Sequence, residues 1–331
     1  MGRCEADPTI DRKEIAGFKF PLGVYPIEEM TPRAGYSVEF EPADGDDDGE
    51  DWEEWPDRYM LDIAISADRI EALCRSLFGM LPGRVYPILD ILGVDAFREV
   101  DPYVAYDRIG LDRFTDSVRR YRAMLFEDGL CGFGAMSEDP FFYVFIDEHK
   151  MVTVRVEPER KEQVERILHA FDLEPVDTPA GADASAHEHR GVVHAPEDRR
   201  ELMTPEEIIE ALRDDWDLVL NIDPERNLDD DGNDLGVTSW RCLVRGLGEG
   251  EKGWRYLEVL LHAGCLREAE ELSLKAIEDA GEKREITWDD IVVVSTDRVL
   301  PKDFVTLVGK GKAAKIARTT EPGIVLARPI E

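Results

Sequence analysis

The 331 residues predict an α+β protein of two domains, each a mostly antiparallel or mixed sheet covered by helices. Three observations carry this. Apolar residues at strand and helix spacing interleave in the order β-α-β-α-β-β-β-α through residues 59–171. The clearest hairpin, residues 141–146 and 151–156, surrounds the turn Asp147-Glu148-His149-Lys150. A small, polar, aperiodic stretch at 178–186 separates two parts, each long enough to bury a core.

Residues 1–58 read as an N-terminal extension. Positions 35–40 alternate as an edge strand does, and residues 39–57 hold eleven acids and no base, the mark of a solvated loop. The first domain, 59–175, opens on a strand at 59–65. Ser66 caps a helix with Ile70, Leu73, Cys74, Leu77 and Phe78 on one face, and Pro82-Gly83 stops it. Residues 84–92 return as a strand. A helix near 111–127 carries Phe114, Val118, Tyr121 and Leu125; after the hairpin, helix 158–171 turns Val164, Ile167, Leu168 and Phe171 inward.

Residues 176–200 read as a linker, and 201–331 as the second domain. Its first helix opens on Thr204-Pro205-Glu206-Glu207, a capping box with proline at the first helical position, and runs to about Arg213. Strands follow at 217–223 and 237–244, which would place 229–234 at a hairpin tip. Further strands are expected at 254–262, 286–295 and 304–308, a helix at 266–280 ended by Gly281, and an edge strand at 323–330.

Acids outnumber bases 73 to 40, a net charge of −33. Such a surface repels nucleic-acid backbones and anionic membranes, and it leaves cationic proteins, polyamines and metal ions as partners. With 11 lysines against 29 arginines, host-wide adaptation is a competing account of the charge. No apolar run approaches the roughly 18–20 residues of a membrane span, and the N-terminus has no signal-like apolar core. Five scattered cysteines without a CxxC pair fit reduced thiols in a cytoplasm.

Two acidic loops share the pattern [DN]-x-D-x-D-G: Asp44 to Gly49, and Asn227 to Gly232. Alternating carboxylates before a glycine can fold around a hard cation, so Asn227, Asp229 and Asp231 are metal candidates for Ca²⁺ or Mg²⁺. Neither loop has a glutamate at the twelfth position or flanking helices, and a solvated turn is the plainer reading. Trp52 and Trp55 stand inside the first acidic run. They either pack on the protein's own core or form, with the acids, a surface for a cationic partner.

Three weaker constellations remain. His187, His189 and His194, with Asp183 and Glu188, have ligand types suited to zinc or nickel, and a His-x-His pair on an extended segment points both rings to one side. His262 and Cys265 lie at a strand-to-helix junction, where a thiol can be activated or merely structural. Residues 309–318 carry four bases and no acid, without P-loop spacing.

The sum predicts a soluble, cytoplasmic binding or regulatory protein rather than an enzyme. Asp44, Asp46, Asp48, Trp52 and Trp55 would form an acidic, aromatic-bearing surface that engages a basic protein partner or a cation. Two alternatives stay open. One is a divalent-metal-dependent hydrolase with an acidic loop as metal site and a histidine as acid or base. The other is an acidic housekeeping protein whose charge reflects only its host.

Overall fold

A computed structural model describes residues 3–43, 55–196, 198–199, 201–250, 253–284, 286–309 and 321–330. The chain is mixed α+β, and its contacts divide it into two compact units: Met1–Leu92 with Asp101–Asn221, and Gly93–Val100 with Ile222–Glu331. Among the described residues no helix is long and apolar enough to cross a membrane.

In the first unit, short strands β1 (Glu5–Ala6), β2 (Glu14–Ile15), β3 (Phe18–Lys19) and β4 (Val24–Pro26) precede β5 (Gly35–Glu41) and β6 (Arg58–Ala64). Then come α1 (Ala67–Phe78), β7 (Arg84–Leu92), β8 (Val100–Ala105), β9 (Ile109–Gly110), α2 (Leu111–Arg120) and α3 (Arg122–Glu127). The rest is β10 (Cys131–Glu138), β11 (Phe141–Ile146), β12 (Val152–Val156), α4 (Lys161–Ala170), β13 (His187–His189), β14 (Val193–His194), α5 (Pro205–Trp216) and β15 (Leu218–Leu220). The main sheet runs β15-β8-β7-β10-β11-β12-β6-β5, with β9 attached to β7.

Strand alternation sets the core. Phe142, Val144 and Ile146 of β11 and Val152, Val154 and Val156 of β12 are buried, while Tyr143, Phe145, Thr153 and Arg155 between them are half-exposed. The buried stripe of α1 is the one the periodicity predicts: Ile70, Leu73, Cys74, Leu77 and Phe78. Ser66 precedes this helix, but its hydroxyl donates to Asp68 Oδ1 (2.7 Å) and accepts from Lys19 N (3.0 Å) instead of capping an amide of the helix. The helix expected over 111–127 is two. Tyr121 leaves helical geometry (φ −110°, ψ 24°) so that its ring can enter the core.

Several expectations are corrected. Residues 176–200 are not a bare linker: β13 pairs with β4, β14 pairs with β1, and Arg33 bridges to Ala180. They form a strap laid along the first unit. The capping box at Thr204 is present, but α5 continues to Trp216 and packs Ile208, Leu212 and Trp216 into the first unit's core. Phe114 and Trp216 rings lie 5.0 Å apart. Burial of that stripe assigns the helix to the first unit. The strand that follows, β15, pairs with β8 and not with the 237–244 strand.

The second unit holds β16 (Thr238–Gly248), β17 (Trp254–Ala263), α6 (Leu266–Glu282), β18 (Trp288–Val299), α7 (Pro301–Val308) and β19 (Gly323–Ile330). Its sheet runs β18-β16-β17-β19, antiparallel throughout. Residues 304–308, expected as a strand, belong to helix α7. Pro301 occupies the first helical position, and Phe304 and Val308 share the face that packs on Leu260 and Val325. The edge strand at 323–330 forms as expected. The hairpin expected between 217–223 and 237–244 does not form; the second acidic loop is closed instead by an isolated Leu228–Asp234 bridge.

Candidate metal centre

Three backbone hydrogen bonds bring the strap onto the turn between α3 and β10. Gly23 N donates to Glu127 O (2.7 Å), Arg190 N to Gly23 O (2.8 Å) and Gly129 N to Arg190 O (3.1 Å). The approach requires glycine on both sides. A Cβ on Gly23 would lie 2.0 Å from Gly129 N, and one on Gly129 would lie 2.1 Å from Gly23 O. The Asp128 carboxylate adds a clamp by accepting Val192 N (2.7 Å).

This seating places β13 beside the β11–β12 turn. His187 and His189 are two apart on a strand and so face one side, while Glu188 points away and pairs with Arg190 (2.7 Å). The third histidine, His149, comes from the hairpin turn. That turn is held by Lys150 in left-handed conformation (φ 64°), by Met151 N donating to Asp147 Oδ1 (2.8 Å), and by the buried Lys150 ammonium donating to the Cys131 carbonyl.

Each of His149, His187 and His189 offers a ring nitrogen, and these atoms lie within 4.8 Å of one another. The ring centroids form a nearly equilateral triangle of 4.8, 4.9 and 4.9 Å, and the rings are tilted 70–77° to each other. All three residues are half-buried.

The tautomers follow from the partners. His187 Nδ1 is 2.7 Å from the Ser185 carbonyl and His189 Nδ1 is 2.7 Å from the Gly129 carbonyl. Carbonyl oxygens only accept, so both Nδ1 atoms carry the hydrogen and both neutral rings present an Nε2 lone pair. Those two Nε2 atoms are 3.1 Å apart. Two facing lone pairs repel unless a cation lies between them, either a proton on one ring or a metal ion. In a tetrahedral zinc site, nitrogens about 2.0–2.1 Å from the metal stand roughly 3.3 Å from each other, close to the observed spacing.

His149 Nδ1 lies 3.3 Å from Glu148 Oε1 and 3.5 Å from Asp147 Oδ2. A carboxylate behind one imidazole nitrogen leaves the other as a more basic metal ligand. Burial disfavours charge on His149, but hydrogen bonding to Asp147 and the charges of Asp147, Glu148 and Asp183 outweigh it and raise the pKa. Burial, with the charges of the other two histidines, lowers the pKa of His189 against the pull of the Gly129 carbonyl. The donor set of the cluster is imidazole, suited to zinc, copper or nickel rather than calcium or magnesium.

The histidine group expected from sequence is thus half assembled. His194 is exposed on β14, paired opposite Glu5, and lies outside the cluster. Its place is taken by His149. Nothing in the sequence spacing marked that residue; a histidine preceded by two acids in a tight hairpin turn was the signal to be had.

The other candidate sites fare differently. Asp44, Asp46, Asp48 and Trp52 lie outside the described residues, as does the basic run 310–318. Trp55 is half-buried against its own chain, 5.2 Å from Phe141 and 6.2 Å from Tyr143, with the Arg58 and Arg155 guanidinium groups 5.1 and 5.2 Å from its ring centre. In the second acidic loop, Asn227 is buried: its amide donates to Gly236 O (2.6 Å) and Thr238 Oγ1 (2.9 Å), and its oxygen accepts from Arg298 (3.1 Å). Asp229 Oδ1 accepts from Asp231 N (3.1 Å) and Asn233 N (2.8 Å), and the Asn233 side chain and backbone hold its pKa down. These hydrogen bonds are those of a closed polar turn. Asp231 is exposed. His262 Nδ1 sits 3.2 Å from Ser239 Oγ, and Cys265 is half-buried beside it in sequence.

Fold and site together define an α+β protein with a candidate three-histidine centre. No protein-family model, curated protein or solved structure matches the chain.

Proposed function

We propose that this chain is a cation-binding protein whose working centre is His149, His187 and His189, holding one divalent d-block ion such as Zn²⁺. The observation that supports this most is the pair of Nε2 atoms at 3.1 Å, each with its Nδ1 committed to a carbonyl. This keeps the cation branch of the sequence expectation and moves it from the acidic loops to the strap. The acidic-aromatic surface draws less support, since the cation–π capacity of Trp55 is engaged by Arg58 and Arg155. We read the two compact units as two domains. The free cysteines fit the cytoplasmic, reducing setting expected from sequence.

The test is metal binding to chelator-treated protein, followed by calorimetry and thermal unfolding with Zn²⁺, Co²⁺, Ni²⁺, Ca²⁺ and Mg²⁺. One equivalent of Zn²⁺ should bind, and saturation at 100 times Kd should add about 2.7 kcal/mol to stability. His187→Ala and His189→Ala should each abolish the response, and Asp229→Asn with Asp231→Asn should leave it intact. A zinc response that survives both histidine substitutions sinks the reading.

A second reading, a metal-dependent hydrolase, draws on one observation: among the described residues, three protein nitrogens converge. Catalytic zinc sites keep three protein ligands and an open position for water. Zinc-loaded protein would then hydrolyse activated esters or phosphoesters, and lose that activity in His187→Ala. Turnover no greater than free zinc would exclude it.

A further inference from the structure

We propose that the second unit binds a free, single-chain amphiphile with a carboxylate head, a fatty acid in monomeric form. It would lie in a cavity of about 770 Å³ between the C-terminal half of α6 and the β17–β19 side of the sheet. That volume is ordinary for a small-molecule site. The space exists because α6 turns two small residues, Ala276 and Ala280, toward it one helical turn apart. Gly246 seats one wall: its missing side chain lets Trp288 lie directly on the sheet, and a Cβ there would come 2.7 Å from the indole. The Trp288 Nε1 hydrogen bonds to Ile277 O (3.2 Å), so the indole stands as a fixed apolar wall beside Ile277 and Leu257.

The charge of the lining points to the ligand. Acids outnumber bases 73 to 40 in the chain, yet the fourteen described residues lining this cavity include three cations and no acid. Lys283 and Arg284 follow α6, where a cation also suits the helix C-terminus. Arg255 arrives independently, from β17. Cations converging from two elements on an apolar cavity, in a protein that elsewhere repels anions, match an apolar tail with an anionic head.

Terminally brominated undecanoate tests this directly, because bromine quenches tryptophan on contact and Trp254 and Trp288 both line the cavity. The full-length protein should show saturable quenching at micromolar acid, and undecylamine and undecanol should compete poorly. Combined Lys283→Glu and Arg284→Glu should weaken binding about tenfold or more, and Ala280→Trp, which fills the space, should abolish it. His187→Ala should bind the acid unchanged, which separates this site from the metal centre. Circular dichroism of each variant checks the fold, and the charge-reversal pair, being at the surface, stands if Ala280→Trp misfolds. Absence of saturable quenching, equal competition by the amine, or full binding by the charge-reversal variant overturns the proposal. So does sedimentation with oleate-containing vesicles without binding of the monomeric acid.

Discussion

Arg298 and Asp95 form a buried bidentate ion pair: Arg298 Nε and Nη2 donate to the Asp95 carboxylate at 2.8–3.0 Å, and the Arg298 backbone amide donates to it at 2.7 Å. The remaining donor face reaches Asn227 Oδ1 and Leu228 O. One guanidinium therefore ties residues 93–100, which precede the rest of the second unit by more than a hundred positions, to both β18 and the acidic loop. Arg298→Met should lower stability by about 3–5 kcal/mol, because it leaves a buried carboxylate without its counter-charge. The double variant Arg298→Met with Asp95→Leu should recover much of that loss. Denaturant unfolding of the three proteins checks this, and equal losses in the single and double variants would contradict it.

The strap depends on bare backbone at Gly129. Gly129→Ala places a methyl group 2.1 Å from the Gly23 carbonyl, a clash with backbone that no rotamer change relieves. It should cost about 2–4 kcal/mol and reduce zinc affinity, since the Gly129 carbonyl also orients His189. Calorimetry with Zn²⁺ and thermal unfolding read the two effects separately.

Asp147 and Glu148 should act on the metal through His149. Asp147→Asn combined with Glu148→Gln keeps the shape of the turn but removes the carboxylate behind the imidazole. Outer partners of this kind are worth about 10–100-fold in metal affinity. A zinc dissociation constant unchanged by both substitutions would remove these residues from the site.

Asp90 is the clearest titrating group away from the histidines. Burial, with help from the charge of Glu148, raises its pKa to about 6 from an ordinary value near 3.8. The folded state therefore holds this proton more tightly than the unfolded chain. Its contribution to stability is present below the unfolded pKa and declines as pH rises from about 4 to about 6. Allowing for partial exposure, about 1–3 kcal/mol is lost by neutral pH. Asp90→Asn should raise the melting temperature at pH 8 and leave it nearly unchanged at pH 3.

Thiol labelling distinguishes the cysteines. Cys4, Cys74, Cys131 and Cys242 are buried, and burial raises their pKa values, to about 11 for Cys131 and about 12 for Cys242. Cys265 is half-buried. A thiol reagent should modify Cys265 first in the native protein, and Cys265→Ser should remove the fast phase.

Local patterns were legible in the sequence wherever a single element decides the outcome. The α1 stripe, the β11–β12 hairpin and the Thr204 capping box follow from spacing and cap chemistry, and so does the shared face of His187 and His189. What spacing cannot show is which element covers which. The α5 stripe is equally apolar whichever core receives it, and Asp95 carries no mark of a partner at position 298. His149 joins His187 and His189 because Gly23 and Gly129 let two backbones touch, a relation of four distant segments. Residues 304–308 misled for a different reason: Val305, Thr306 and Val308 favour strand locally, but Pro301 and the burial of Phe304 beside Leu260 select the helix.

The pairing of β4 with β13 also fixes an order of events during synthesis. Residues 24–26 leave the ribosome early, and their partner strand, 187–189, follows about 160 residues later, roughly 10–30 s at ordinary translation rates. For that interval an extended N-terminal segment has no sheet to join, while the β11–β12 turn bearing His149 has already been made. The histidine cluster closes only when the strap arrives, so the ion proposed for it would enter near the end of the first unit's assembly, joining residues made early to residues made late.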